Sequence, residues 1–560
     1  RNQAILENFR LGRYSFNSFR TATSGNVRDA AADFTLENYG FFLQDTWAVN
    51  YNLTLMAGLR YDLPNVGDKP VFNQDATTAF GIRNDATIDG NGLVQPRLGF
   101  NYTFDTDRPT QLRGGIGLFQ GAAANVWLAN PFTNNGRTIQ VFGCSGSACN
   151  VPASTVGTRF NPSPDSQPRV GGNPVADVDL ISSELEQPSL WKANIAFDTE
   201  LPWGGLVAQA ELLLTNVESA IAYEHLNLGG ATLRGNDGRN LYWNANGLNP
   251  SNWSAAGAGT GVGARALRNA NFRDVLLAKP TNKGEAQTLT LSLSRPMRDD
   301  WAWSLGYNYT NATEVSPLTS SRAISNWDGR AVFNPNEEVA GRANYEIRDR
   351  FVGSVSWQKY FFDGLKTSFA VFYEGRSGRP YSWTYNNDLN GDGIDGNDLM
   401  YIPTGFGSGE VAFRGGVAEE QRFWDIVNAN GLNRFAGGVV DRNSGTNPWV
   451  NSFDLRISQE LPGFFEDDKF TLALDVLNVG NLLNKDWGLI DEITFAGGTS
   501  SLIPGNNIRG GFTRSFVNYA GVDAQGRYVY SLQPNVEGLN RRDNFGQSRW
   551  AAQLTLRYSF

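Results

Sequence analysis

Six pairs of strand-like segments, each joined by a short turn and separated from the next pair by a long polar stretch, constrain this chain more than any other feature. The first pair is YGFFLQDTWAV, then Asn50, Tyr51 and Asn52, then LTLMAGLRYD. Period-two alternation puts Tyr39, Phe41, Leu43, Trp47 and Val49 on one face, with Leu53, Leu55, Ala57, Leu59 and Tyr61 beside them. Asp45 is the one charged residue of that face, and Gln44, Thr46, Thr54, Arg60 and Asp62 fall on the other. The grammar recurs in RLGFNYTF with QLRGGIGLFQ, LWKANIAFDTEL with LVAQAELLLTNV, AQTLTLSLS with WAWSLGYNYT, FVGSVSWQKY with LKTSFAVFYEG, and VNSFDLRISQEL with KFTLALDVL. Turns within pairs are short, as in Pro202 to Gly205, Arg295 to Asp300 and Pro462 to Asp468. The stretches between pairs, residues 63–94, 121–189, 229–283, 311–349, 378–449 and 484–547, are long and rich in Gly and Asn.

A soluble sandwich also alternates, so the connections decide. A compact soluble domain rarely carries several loops of that length, whereas short turns alternating with long loops are the pattern of an outer-membrane barrel. The cause is the bilayer: every backbone amide in hydrocarbon needs a partner, so the sheet must close, with one face apolar and the lumen face free to be polar. The fold class expected is therefore all-β, a transmembrane antiparallel β-barrel of the outer-membrane type with long extracellular loops. No run approaches the ~20 apolar residues of a membrane-spanning helix. Tyr39, Trp47, Tyr61, Trp191, Trp203, Trp301 and Trp357, near strand ends, fit aromatic girdles at the two interfaces. A first strand around Arg10 to Phe19, twelve in the six pairs and a final one in QSRWAAQLTLRYSF make roughly 14, an even number as such barrels require.

Composition removes other functions. One His, His225, and two Cys among 560 residues leave little for His-based catalysis or a Cys-rich zinc site, so the chain reads as no enzyme. The 47 Lys and Arg are interspersed with 56 Asp and Glu rather than gathered in a basic patch, which argues against nucleic acid. Cys144 and Cys149, in VFGCSGSACN, are close enough to form a disulfide, which persists best in an oxidising compartment. The start, RNQAILENF, has no charged n-region followed by an apolar h-region, so it reads as a mature protein or a fragment.

The last strand ends at Phe560, with Tyr558, Leu556, Leu554 and Ala552 on its apolar face, and it resembles the C-terminal signal read by the barrel-assembly machinery of Gram-negative outer membranes. YGFFLQDTWAVNYNLTLMAGLRYD, PRLGFNYTF followed by LRGGIGLFQG, ELPWGG, LDVLNVGNLLN and EGRSGRPYSWTYNNDLNGDGIDGNDLMYIP look like phrases of TonB-dependent receptors, especially the Oar-like group, over about Phe16 to Phe560. The resemblance implies a multi-pass barrel of the cell outer membrane, of about 22 strands around a plug. It also implies import of scarce nutrients with energy from the inner-membrane TonB complex, although some Oar-like members are tied to adhesion or surface organisation. No plug or TonB box is recognisable here, so residues 1–560 read as the C-terminal barrel portion. The partners implied are outer-membrane lipid, the assembly machinery, a plug and TonB. The alternative is a non-transporting barrel, an adhesin or a scaffold joined to envelope-complex subunits; a third reading is a secreted carbohydrate-binding β protein.

Three features are candidate sites. In NNDLNGDGIDGND, Asp388, Asn390 and Asp392 with Gly393 reproduce the start of an oxygen-rich calcium loop. Leu399 stands where a bidentate carboxylate belongs, so Asp395 or Asp398 has to substitute, and a solvated acidic turn is the competing reading. Ca2+ is thus the one cofactor in question. The inward Arg60, Arg97, Arg113, Lys192 and Arg456 either steer an anionic ligand or, as we favour, hold a plug through ion pairs. GAGTGVGA, with Gly257, Gly259, Gly261 and Gly263, follows no buried strand and opens no helix; it reads as a flexible external loop, not a phosphate-binding one. His225, without a clustered nucleophile, makes no triad and is expected at the extracellular end or in the lumen.

Overall fold

The computed structural model describes residues 14–15, 18–143, 150–151, 175–362, 364–465, 468–493, 512–536 and 538–560. All six hairpins form. We label their strands β1 (Glu37–Ala48), β2 (Leu53–Asn65), β3 (Leu93–Thr103), β4 (Thr110–Gln120), β5 (Ser189–Glu200) and β6 (Val207–His225). The others are β7 (Gly284–Arg298), β8 (Trp301–Glu314), β9 (Asp349–Phe362), β10 (Leu365–Arg376), β11 (Val450–Pro462), β12 (Lys469–Leu477) and the last strand, β13 (Ala551–Ser559). They pair in sequence order, each antiparallel to the next, as the main path of one 16-stranded sheet. Local turns make this order cheap: the β7–β8 connection is only Asp299 and Asp300, both at positive φ (52° and 68°), the conformation that matches the twist of two-residue hairpins.

The expected first strand is corrected. Residues 10–13 and 16–17 lie outside the described residues, and Ser18–Ala22 pairs with Ile139–Gly143 rather than with β1. A short alternating segment carries no information about its partner, which long-range contacts select. β1 and β13 are therefore the two ends of the sheet, and among the described residues they are not paired with each other.

Register carries one face across the whole sheet. Arg60 faces Gln95, Gly58 faces Arg97, Arg97 faces Gly117, and Gly117 faces Lys192. Continuing, Glu211 faces Thr290, Thr290 faces Asn308, Asn308 faces Arg350, and Arg456 faces Asp475, which faces Gln553. This is the polar face. The other carries Leu43, Leu59, Leu98, Leu305, Leu554 and Leu556, all more than half exposed. Water does not tolerate an apolar band of that extent; lipid does. Trp301 opposite Trp357 lies at the short-turn end and Tyr307 opposite Phe351 toward the other. Trp301 to Tyr309 spans ~27 Å of strand, enough for a tilted strand to cross most of an apolar band of ~25 Å.

The long connections differ from the featureless loops expected. Trp243, Trp253, Trp383, Tyr385, Phe423, Phe516, Tyr519 and Tyr530, drawn from three of them, are buried in one aromatic core. Trp253 stands edge-on to both Trp243 and Tyr519, at 5.3 Å between ring centroids. A helix, α1 (Gly416–Ala429), closes this core with Phe423, Trp424 and Val427. A second core gathers Val66, Leu128, Ile181, Tyr223, Leu276 and Trp327 where the end of β6 passes the sheet and pairs with Phe272–Thr281. The loops thus form a packed layer over one end of the sheet.

Candidate functional site

The acidic loop lies inside this layer. Its backbone turns on its own side chains: Asp388 accepts from Gly391 N (2.6 Å) and Gly393 N (2.8 Å), Asn390 Oδ1 from Asp392 N (2.8 Å), and Asp392 Oδ1 from Ile394 N (2.8 Å). Gly391 and Gly393 take positive φ (79° and 92°), which the tight turn requires. Asp398 accepts from Leu389 N at 2.7 Å and from the Asn390 amide at 2.5 Å. Asp395 Oδ1 accepts from Asp388 N at 3.1 Å, and its side chain is only half-buried. Of the two substitutes expected for the missing twelfth residue, Asp398 is the one that shares the Asn390 amide.

The loop is tied to its neighbours by main-chain bonds. Tyr242 N donates to Asn390 O, Arg265 N to Gly391 O and Val332 N to Asn397 O, and Trp243 Nε1 donates to Leu389 O at 2.8 Å. Its principal counter-charge was not anticipated. Arg239, fully buried, donates to Asp398 Oδ1 (3.0 Å) and pairs with Asp237 (3.3 Å), which also accepts from Tyr528. The available signal was local: NDGRN is a turn sequence between two short strands, and only the fold reveals that the turn delivers a guanidinium to residues 159 positions on. Burial, reinforced by the neighbouring carboxylates, raises the proton affinity of Asp388 and Asp392, Asp392 to about 7; burial also raises Asp398, against the pull of Arg239. Among the described residues, no three His, Cys, Asp or Glu side chains already converge as a metal cluster; the oxygen set here includes asparagine amides.

Against the loop lies a polar cavity of 510 Å³, lined among others by Arg265, Arg273, Asp274, Arg322, Trp327 and Asp392. His225 sits behind it, the last residue of β6, buried, its ring edge-on to Trp327 at 4.9 Å. Its Nδ1 accepts from Asn227 N, and its Nε2 lies between Arg265 Nη1 at 2.7 Å and Asp274 Oδ1 at 3.4 Å. Burial lowers the affinity of His225 for a second proton, and Arg265 beside it acts in the same direction. The glycines of GAGTGVGA lie against the aromatic core: Gly259 bridges to Trp253, and Gly257 O accepts from Asn387. Glycine without periodicity gave no sign of that packing.

The five cations Arg60, Arg97, Arg113, Lys192 and Arg456 share the polar face. Arg60 pairs with Asp62 at 2.6 Å, Arg113 with Asp198 at 3.1 Å and Arg456 with Asp475 at 2.8 Å. Arg97 and Lys192 flank Gly117 in register, and among the described residues neither is within ion-pair distance of a carboxylate; Arg97 donates to Gln95 Oε1 at 3.4 Å, next to Asp62, and lies over the Phe119 ring at 4.6 Å. Tyr558 packs on Phe470 at 4.8 Å and donates to Asp468, whereas Phe560, at the short-turn end, is almost fully exposed beside Tyr558. Cys144 and Cys149 lie outside the described residues.

Residues 2–486 match the family model described as outer membrane beta barrel domain. No curated protein matches the sequence. Among solved structures, the chain is similar to the outer membrane transporter YddB from Escherichia coli at 11% identity and a TM-score of 0.43, over 93% of this chain and 45% of that one. It is also similar to the FrpB iron transporter from Neisseria meningitidis (9%, TM-score 0.38, 96% of this chain and 48% of that). A third is a mutant of the ferric enterobactin receptor PfeA from Pseudomonas aeruginosa (12%, TM-score 0.37, 94% and 45%). The chain spans less than half the length of each of these.

Proposed function

The chain belongs to the outer membrane beta barrel domain family, and from that premise we propose that it is the barrel portion of a TonB-dependent receptor. The packed loop layer captures a ligand outside the cell, and the ligand passes through a lumen gated by a plug that the inner-membrane TonB complex pulls. The observation that carries this reading is the row Arg97, Gly117, Lys192: two cations two strands apart on the polar face, neither within ion-pair distance of a carboxylate among the described residues. A merely structural barrel gains nothing from like charges placed together, whereas a plug carboxylate or a passing anionic group neutralises both.

Purification from native outer membranes, followed by binding of the isolated periplasmic part of TonB, tests the proposal. Retention on immobilised TonB, with Lys192 cross-linked to a plug carboxylate, is the expected result. Failure to bind TonB, together with fixed association with other envelope proteins, assigns the barrel to scaffolding or adhesion instead.

A further inference from the structure

Four carboxylates, those of Asp237, Asp388, Asp392 and Asp398, are buried together in the loop layer, and among the described residues the ion pairs supply them with one guanidinium, Arg239. Uncompensated charge of that kind is not retained in a protein interior; it is neutralised by protons or by a cation. A second observation separates these outcomes. Asn397 is 2% exposed and its amide lies in the cluster, Nδ2 on Asp392 Oδ2 at 2.9 Å, while its Oδ1 has no hydrogen-bond partner. Turned over, that amide exchanges its Nδ2 bond to Asp392 for an oxygen beside the carboxylate, an arrangement that a cation between the two oxygens stabilises. Similarly, the Asn390 amide nitrogen stands 2.5 Å from Asp398 Oδ1 and 3.5 Å from Asp392 Oδ2, a position between two carboxylates that a cation fills better than a neutral donor.

We propose that residues 388–398 bind one calcium ion, with Asp388, Asp392 and Asp398 as carboxylate ligands and Asn390 and Asn397 as amide-oxygen ligands. The backbone bonds to Asp388 and Asp392 leave one lone pair of each oxygen for the metal. Calcium is favoured over magnesium because the cluster is buried: magnesium keeps several waters in a strict octahedron, whereas calcium accepts many protein oxygens in flexible geometry. The ion then fastens three long connections together, since the loop bonds to Tyr242, Arg265 and Val332. This inference does not depend on the transport reading.

The test is calorimetric titration of the chelator-stripped, detergent-solubilised protein with CaCl2 and, separately, MgCl2, its fold verified by heat-modifiable gel mobility. One calcium per chain is expected, with little response to magnesium. Asp388→Asn combined with Asp392→Asn should abolish saturable binding, and Asn397→Leu should weaken it at least about tenfold. Protease cleavage within residues 377–449 should rise on chelation while the barrel stays intact. Absence of saturable calcium binding by the unmutated protein overturns the proposal without recourse to any variant. So does an unchanged isotherm in the double variant. A calcium-independent rise in unfolding temperature in Asp392→Asn, with no calcium response in the parent, assigns the neutralisation to protons.

Discussion

Asn308 of β8 donates its side-chain amide to Thr290 Oγ1 of β7 at 3.0 Å, and one residue along, Leu291 faces Tyr307 on the opposite side of the sheet. Two neighbouring positions on one strand therefore meet different solvents. Leu291→Arg should destabilise the protein in lipid by ~2–4 kcal/mol, and Thr290→Arg by less than ~1 kcal/mol. Unfolding in urea from lipid vesicles measures both; equal costs would place the sheet in a uniform environment and remove the membrane assignment.

Phe560 is 97% exposed, its ring 5.8 Å from that of Tyr558 between centroids. Its deletion should leave the stability of refolded protein within ~0.5 kcal/mol, as for other surface changes. If the likeness of the last strand to the C-terminal assembly signal holds, the quantity of barrel in the outer membrane should nevertheless fall, because assembly rather than packing would then use the residue. Membrane fractionation set beside unfolding curves separates the two effects.

Trp243 packs edge-on to Trp253 and donates to Leu389 O. Trp243→Ala should cost the loop layer ~3–5 kcal/mol, as for other large aromatic truncations. Since the aromatic core is built from the long connections, the loss should appear as proteolysis there, with the gel mobility of the barrel unchanged. Simultaneous loss of both would mean that layer and sheet unfold as one unit.

Arg239→Met removes the guanidinium that joins Asp237 and Asp398. Breaking a buried pair from one side leaves charge uncompensated, and ~3–5 kcal/mol is expected. Replacing Asp237, Arg239 and Asp398 together by apolar residues should recover part of the loss. Thermal unfolding of the two variants decides it.

His225 titrates against Arg265 and Asp274, with Arg273 also bonded to Asp274. Its affinity for a proton is lower in the folded chain than the ordinary 6.5. The unfolded chain therefore takes up the proton first, so the contribution is complete above pH 6.5 and declines as pH falls toward the folded value, by up to ~1.4 kcal/mol per pH unit. Protease resistance of the loop layer in the parent, taken relative to His225→Gln, should drop between pH 7 and pH 5, since the raised carboxylates of the acidic loop titrate alike in both. A parallel pH response in parent and variant would exclude His225 as its source.

What sequence alone determined is the sheet. Alternation of Leu289, Leu291 and Leu293 with Thr288, Thr290 and Ser292 is a local consequence of the pleat, and each hairpin partner follows within a few residues, so faces, register and order are legible without a fold. The ends were less legible: the segment near Arg10 alternates, but Ser18–Ala22 pairs instead with Ile139–Gly143. The loop layer was decided by tertiary structure. Trp243, Trp383 and Tyr519 show no periodicity, and they meet across hundreds of residues because burying them together removes more apolar surface than any local arrangement. The acidic loop shows the division within one site. Its own turns could be read from Asp388 to Gly393, but the burial that makes its charge costly, and the arrival of Arg239 as its counter-charge, exist only once the connections have folded over it.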